Sequence, residues 1–147
     1  MIGQLLCGVL ATTSPDIASL WDFSDPAGSE RRFRQALSTS TGDDALVLQT
    51  QIARTWGIRK DFDKARTLLA QIEAEAKVAG PAAKARWELE MGRTFASASH
   101  PPASQTPQAK SRARGHFEAS LALARQGKLD GLAIDAIHMM AFIDTAP

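Results

Sequence analysis

The chain repeats itself. Ile52-Ala53-Arg54-Thr55-Trp56 matches Met91-Gly92-Arg93-Thr94-Phe95 position by position, as apolar, small, Arg, Thr and aromatic. One helical turn before each copy stands a large apolar residue, Leu48 or Trp87, and after each copy comes a small residue with a large one a turn later: Ala65 and Leu69, then Ala113 and Phe117. Self-similarity at this period marks a repeated supersecondary unit. A small side chain at Ala53 or Gly92 lets a neighbouring helix backbone come close, and Ala65 and Ala113 do the same from the other side. Trp56 or Phe95 fills the wider gap one turn beyond. A helix hairpin built this way cannot bury its apolar stripe alone, so hairpins must stack on one another.

The rest of the sequence is consistent with helices throughout. Tyr is absent, β-branched runs are few, and Ala and Leu alternate with Glu, Gln, Lys and Arg, a composition that favours helix over strand. Stop and start signals divide the chain into helices of about 26–37, 43–56, 61–78, 81–96, 107–126 and 129–143. Ser24 or Asp25 caps the first ahead of Pro26, Gly57 stops the second, Asp61 opens the third, Gly80-Pro81 separates the third from the fourth, Thr106-Pro107 starts the fifth and Gly127 ends it. Residues 97–106 are expected to form a loop.

On these residues the chain resembles the tetratricopeptide repeat family. Leu48, Ile52, Ala53, Trp56, Phe62, Ala65, Leu69 and Ile72 fit the family pattern, and a second unit fits through Met91, Gly92, Phe95, Ala113, Phe117, Ser120 and Leu121. His138-Met139-Met140-Ala141 looks like the first helix of a third unit. Leu20-Trp21-Asp22-Phe23-Ser24-Asp25-Pro26 with Ser29-Glu30 and Phe33-Arg34 is similar to the amino-terminal cap of a group of bacterial tetratricopeptide proteins of undefined function. The resemblance implies an all-α, right-handed α-solenoid of about three antiparallel helix pairs with an amino-terminal capping helix, over residues 19–147. It also implies a protein–protein interaction module of the cytoplasm rather than an enzyme, holding a partner protein or peptide in a concave groove. The alternative is a structural or regulatory fragment of a larger repeat protein.

Two departures from the pattern stand out. The turn in the second unit is enlarged by residues 97–106, and Pro147 falls where a third unit would add its second helix. The last helix is therefore expected to expose Ile137, Met140 and Phe142, an apolar end face suited to self-association or to a partner.

Residues 1–18 are set apart as an apolar extension whose order the sequence leaves open. It lacks the basic start of a secretory signal. Leu5-Leu6-Cys7-Gly8 faintly resembles a bacterial lipoprotein site; a short packed helix or a mis-assigned start codon are the other readings. No stretch approaches the ~20 apolar residues of a membrane span. A net charge of +1, from 17 basic and 16 acidic residues, gives no reason to expect nucleic acid or an anionic membrane as partner.

Catalytic and metal signatures are lacking. The chain has 3 His and 1 Cys; His100, His116 and His138 show no zinc spacing, and no phosphate loop or serine-nucleophile motif occurs. No cofactor or metal is expected. Glu73, Glu75, Glu88 and Glu90 look like solvated helix faces. The candidates for partner binding are Arg54 and Arg93, which hold the same place in two units, with Thr50 and His138 beside them in the groove. The two arginines would either grip partner carboxylates through bidentate bonds or pair with acids of the adjacent helix and stiffen the stack.

Overall fold

The computed structural model describes residues 13–145. Among the described residues there are eight α-helices, one 3-10 turn (Pro102–Ser104) and no strand. The helices are α1 (Ile17–Leu20), α2 (Pro26–Leu37), α3 (Gly42–Ile58), α4 (Phe62–Gln71), α5 (Glu73–Val78), α6 (Pro81–Phe95), α7 (Pro107–Gln126) and α8 (Asp130–Thr145). Cys7 and the Leu5–Gly8 run lie outside the described residues.

Local chemistry sets most of the starts. The Asp25 carboxylate accepts the Gly28 N–H at 2.9 Å, Asp61 accepts that of Lys64 at 3.3 Å, and the Thr106 hydroxyl accepts that of Ala109 at 3.1 Å. Each covers an N–H that has no partner inside the helix. Pro26, Pro81 and Pro107 occupy first-turn positions, where no N–H is needed.

Two boundaries differ from the sequence reading. Gly57 does not stop α3, which runs to Ile58, whereas Gly127 ends α7 as expected; beyond these ends the left-handed residues are Lys60 (φ 68) and Lys128 (φ 54). Each sits in a paired closing motif. Asp61 N–H reaches the Trp56 carbonyl and Lys60 N–H that of Gly57, both at 2.9 Å; Leu129 and Lys128 repeat this on Ala124 and Arg125 at 2.8 and 3.1 Å. These bonds satisfy the last carbonyls of α3 and α7 whichever residue takes the left-handed position. The second difference is that the helix expected over 61–78 is interrupted at Ile72 (φ −99, ψ 4), giving α4 and α5. The Trp87 indole N–H donates to the Leu69 carbonyl at 2.8 Å, just before that break. A tertiary donor thus takes an oxygen at the point where α4 gives way to α5, with no glycine or proline involved.

The helices pack in a connected series. α3 lies against α2 and α4; α6 lies against α3, α4 and α5; α7 lies against α6, and α8 against α7 and α6. One core gathers Phe33, Leu48, Ile52, Leu69 and Trp87; a second gathers Leu89, Ala113, Phe117, Ala136 and Ile143, and Phe95 touches both. The repeated small positions are interior: Ala53 and Ala65 are 1% exposed and Ala113 is fully buried.

Gly92 shows why the second unit carries glycine. A Cβ there would stand 2.6 and 2.8 Å from the ring of the fully buried Phe117. Gly92→Ala gains about 1 kcal/mol of helix propensity but overpacks the α6–α7 contact by about 1–3 kcal/mol. We expect a lower urea midpoint with unchanged helicity; a higher midpoint would show that the two helices part freely.

The loop between α6 and α7 is held from inside. His100 Nε2–H donates to the Thr94 carbonyl at 3.0 Å, Nδ1 meets the Ser97 hydroxyl at 2.9 Å, and the ring stacks on Phe62 at 3.7 Å. Burial, with a smaller push from Arg66, lowers the His100 pKa below its usual 6.5 against the pull of its hydrogen bonds. The native state therefore binds fewer protons than the unfolded chain. The stability that His100 adds is complete above about pH 6.5 and is lost as pH falls through the depressed folded value. Relative to His100→Gln, the parent should lose urea resistance between about pH 7 and pH 5. Parallel pH profiles would refute this.

Candidate functional site

α3, α6 and α8 line one side of a cleft of about 250 Å³ whose walls include Ala53, Arg54, Ile58, Glu90, Met139 and Phe142. The floor is mainly apolar, and charge is concentrated along α3 and α6. Arg54 and Arg93 both line it, so the repeat places its two arginines in one cavity.

Their surroundings differ. Arg93, with a side chain only 12% exposed, donates from Nη1 to Glu90 Oε1 at 2.6 Å and from Nη2 to Asp135 Oδ1 at 2.5 Å. It thereby ties α6 to α8. Burial would lower its pKa, but Glu90 and Asp135 outweigh that and raise it. Arg54 comes no nearer than 3.9 Å to Glu90 Oε1, outside hydrogen-bond range. Its guanidinium instead faces the rings of Trp21 and Phe23, 5.4 and 5.3 Å from their centroids, and these two rings stack 4.6 Å apart. Burial lowers the Arg54 pKa, with Glu90 acting against it.

Two residues missed by the sequence reading complete the cluster. Glu90 is not a solvated face: it is 3% exposed, and its Oε2 has no hydrogen-bond partner among the described residues. Arg86, one turn earlier on α6, is half-buried; burial lowers its pKa, and it feels the charges of Glu90, Arg54, Asp135 and Arg93. The spacing of Arg86, Glu90 and Arg93 puts all three on one helix face, which is the signal that could have identified them.

The remaining expectations fall elsewhere. Thr50 does not line the groove; it is fully buried, and its hydroxyl donates to the Val47 carbonyl at 2.6 Å. This back-bond lets a threonine sit inside a helix contact without an unpaired hydroxyl. His138 is exposed on α8 but outside the cleft, and its neighbour Met139 takes the lining place. Ile137 is 45% exposed as expected, and Ile134 joins it at 57%. Met140 and Phe142 instead pack against the second core, because Ala136 and Ile143 set the inward face of α8 and draw their neighbours in.

Glu88 also has a partner, the His116 Nδ1 at 2.6 Å, and Glu73 pairs with Lys77 at 2.7 Å. Among the described residues no group of three His, Cys, Asp or Glu could hold a metal ion, and no helix is long and apolar enough to cross a membrane. No family model, no curated protein and no solved structure matches this chain.

Proposed function

We propose that the chain is a tetratricopeptide-type stack of helix hairpins that binds a segment of a partner protein along the α3, α6 and α8 face. The order of contacts supports the stacking: α3 pairs with α4 and α6 with α7, while α6 packs on α3 and α8 packs on α6. In this reading Ala53 and Gly92 are the equivalent close-contact points, and α3, α6 and α8 are the inner helices of a right-handed solenoid. The observation that carries the function is the cleft itself: apolar at Ile58, Met139 and Phe142, charged at Arg54, Glu90 and Arg93, and open on one side. An apolar recess with a few convergent polar groups is the usual form of a recognition site.

A photo-crosslinking residue at Ala98, on the exposed rim of the cleft, should attach to a partner polypeptide. The same group at Val78, which is 85% exposed outside the cleft, should not. Met139→Glu should abolish the Ala98 adduct. Equal labelling at both positions, or none at Ala98, would defeat the proposal.

A second reading, a structural part of a larger repeat protein, draws on Ile134 and Ile137. They lie on the outer side of α8, where a further helix would pack.

A further inference from the structure

One loop serves two cavities. Between α6 and α7, Ser97, Ala98 and Ser99 form part of the cleft wall. The next residue, His100, lines a separate recess with Phe62, Asp63, Arg66 and Phe95. Pro101, Pro102, Ala103 and Ser104 are exposed, whereas His100 is buried. Most hydrogen bonds of this stretch stay within it. The His100 N–H reaches the Ser97 carbonyl, the Gln105 N–H that of Pro102, and the Gln105 side-chain amide that of His100. The His100 ring fastens the loop to the helices, through the Phe62 stack on α4 and the Thr94 carbonyl at the end of α6.

That carbonyl has a second donor. Arg66 Nη2 reaches it at 2.9 Å, beside His100 Nε2 at 3.0 Å. The guanidinium and the imidazole therefore meet on one oxygen, no more than two hydrogen-bond lengths apart. A neutral ring fits this arrangement; an imidazolium would set a second positive charge against the first. The rest of the recess does little to offset it. Lys60 adds another positive charge, and Asp63, with a side chain 98% exposed, is paired with Arg66 at 3.3 Å. α7 contributes Ala109 and holds Arg112 over the Phe95 ring at 5.6 Å, and α6 contributes the uncharged Thr94 and Phe95. A proton on Nδ1 also ends that atom's capacity to accept from the Ser97 hydroxyl.

We infer that His100 is a latch: its neutral ring holds residues 97–99 as a wall of the cleft, and protonation of the ring releases that wall. Acidification then widens the cleft from the loop side and weakens its hold on a partner. Burial and Arg66 both favour the neutral ring, so release falls below the usual histidine value rather than above it. This rests on the proposed partner-binding role of the cleft and adds its regulation.

The first measurement needs no partner. Isotope-labelled protein carrying a nitroxide on Ala98→Cys, in a Cys7→Ser background, is followed by NMR from about pH 7.5 to about pH 5, over the range in which circular dichroism shows the helices intact. At the upper end the nitroxide should broaden the methyl signal of Met139, which lines the cleft with Ala98. As the His100 ring titrates, that broadening should fade. In the unlabelled protein the amide signals of residues 97–105 should move with the same midpoint, below the usual 6.5. His100→Gln should make both readings independent of pH, and Arg66→Gln should move the midpoint up. His138→Gln, exposed on α8 outside the cleft, should change neither. Loop signals that stay fixed across the range, or a pH dependence that survives His100→Gln, would overturn the latch. The Ala98 photo-adduct separates this inference from the binding role. An adduct lost on acidification in the parent but kept in His100→Gln supports both. An adduct indifferent to pH removes the regulation and leaves the binding role. A loop that opens with no adduct at either pH leaves the latch and removes the binding role.

Discussion

Trp87→Ala will destabilise the protein by about 3–5 kcal/mol, the range for removing a large buried aromatic side chain. Trp87 is 6% exposed within the core shared by α2, α3 and α4. It belongs to α6, the helix that also carries Leu89 of the other core. Its ring also meets the His116 ring of α7 edge-on, 6.0 Å between centroids. Removing it opens a cavity where the two halves of the molecule join and strips the Leu69 carbonyl of its indole donor. Trp87→Phe separates these effects. It retains most of the packing and loses the hydrogen bond, at about 0.5–1.5 kcal/mol. Urea denaturation checks both, with tryptophan fluorescence still available from Trp21 and Trp56. A loss below about 1 kcal/mol for the alanine variant would mean that the contact between the two cores contributes little.

The Trp87–Leu69 bond also illustrates what a sequence does and does not disclose. Helix starts were readable because their causes are local: Asp25 before Pro26 and Thr106 before Pro107 act within one turn. The small positions Ala53 and Gly92 were readable because they recur at matching places. The break at Ile72 was not, because its surroundings lie on another helix. The left-handed conformations of Lys60 and Lys128 escaped for a related reason: glycines stood nearby, at Gly57 inside α3 and at the Gly127 cap of α7, yet main-chain bonds from Asp61 and Leu129 closed the turns over lysines.

The site divides in the same way. Repetition pointed to Arg54 and Arg93, but could not say that one would be saturated by Glu90 and Asp135 and the other left against aromatic rings. Arg93 pairs with acids on its own helix and on α8, as one of the two readings of these arginines expects, while Arg54 makes no hydrogen bond to Glu90. Glu90 was misread because a glutamate on a helix is solvated unless something covers it. What covers it is Arg93, one turn along the same helix, together with neighbouring helices that are distant from it in sequence. Thr50 was misread in the opposite direction, since a polar residue can be buried when its hydroxyl bonds to its own helix.

Glu90→Ala will cost about 3–5 kcal/mol, as expected when one member of a buried ionic group is removed and the other is left behind. The loss has two parts. Arg93 keeps Asp135 but loses its Glu90 contact at 2.6 Å. Arg54 and Arg86 lose the carboxylate that most strongly offsets their burial. Glu90→Gln should cost less, because the amide oxygen can still accept from Arg93, although three arginines then face Asp135 alone. A double replacement, Glu90→Leu with Arg93→Leu, removes one charge of each sign and restores the balance. It should recover much of the loss, since apolar residues of similar volume commonly replace a buried ion pair at little cost. Urea denaturation of Glu90→Leu, Arg93→Leu and the double variant closes the cycle. If Glu90→Ala fell within about 0.5 kcal/mol of the parent, Glu90 would not hold the cluster together. If the double variant were as unstable as Glu90→Ala, the carboxylate's main partners would be Arg54 and Arg86.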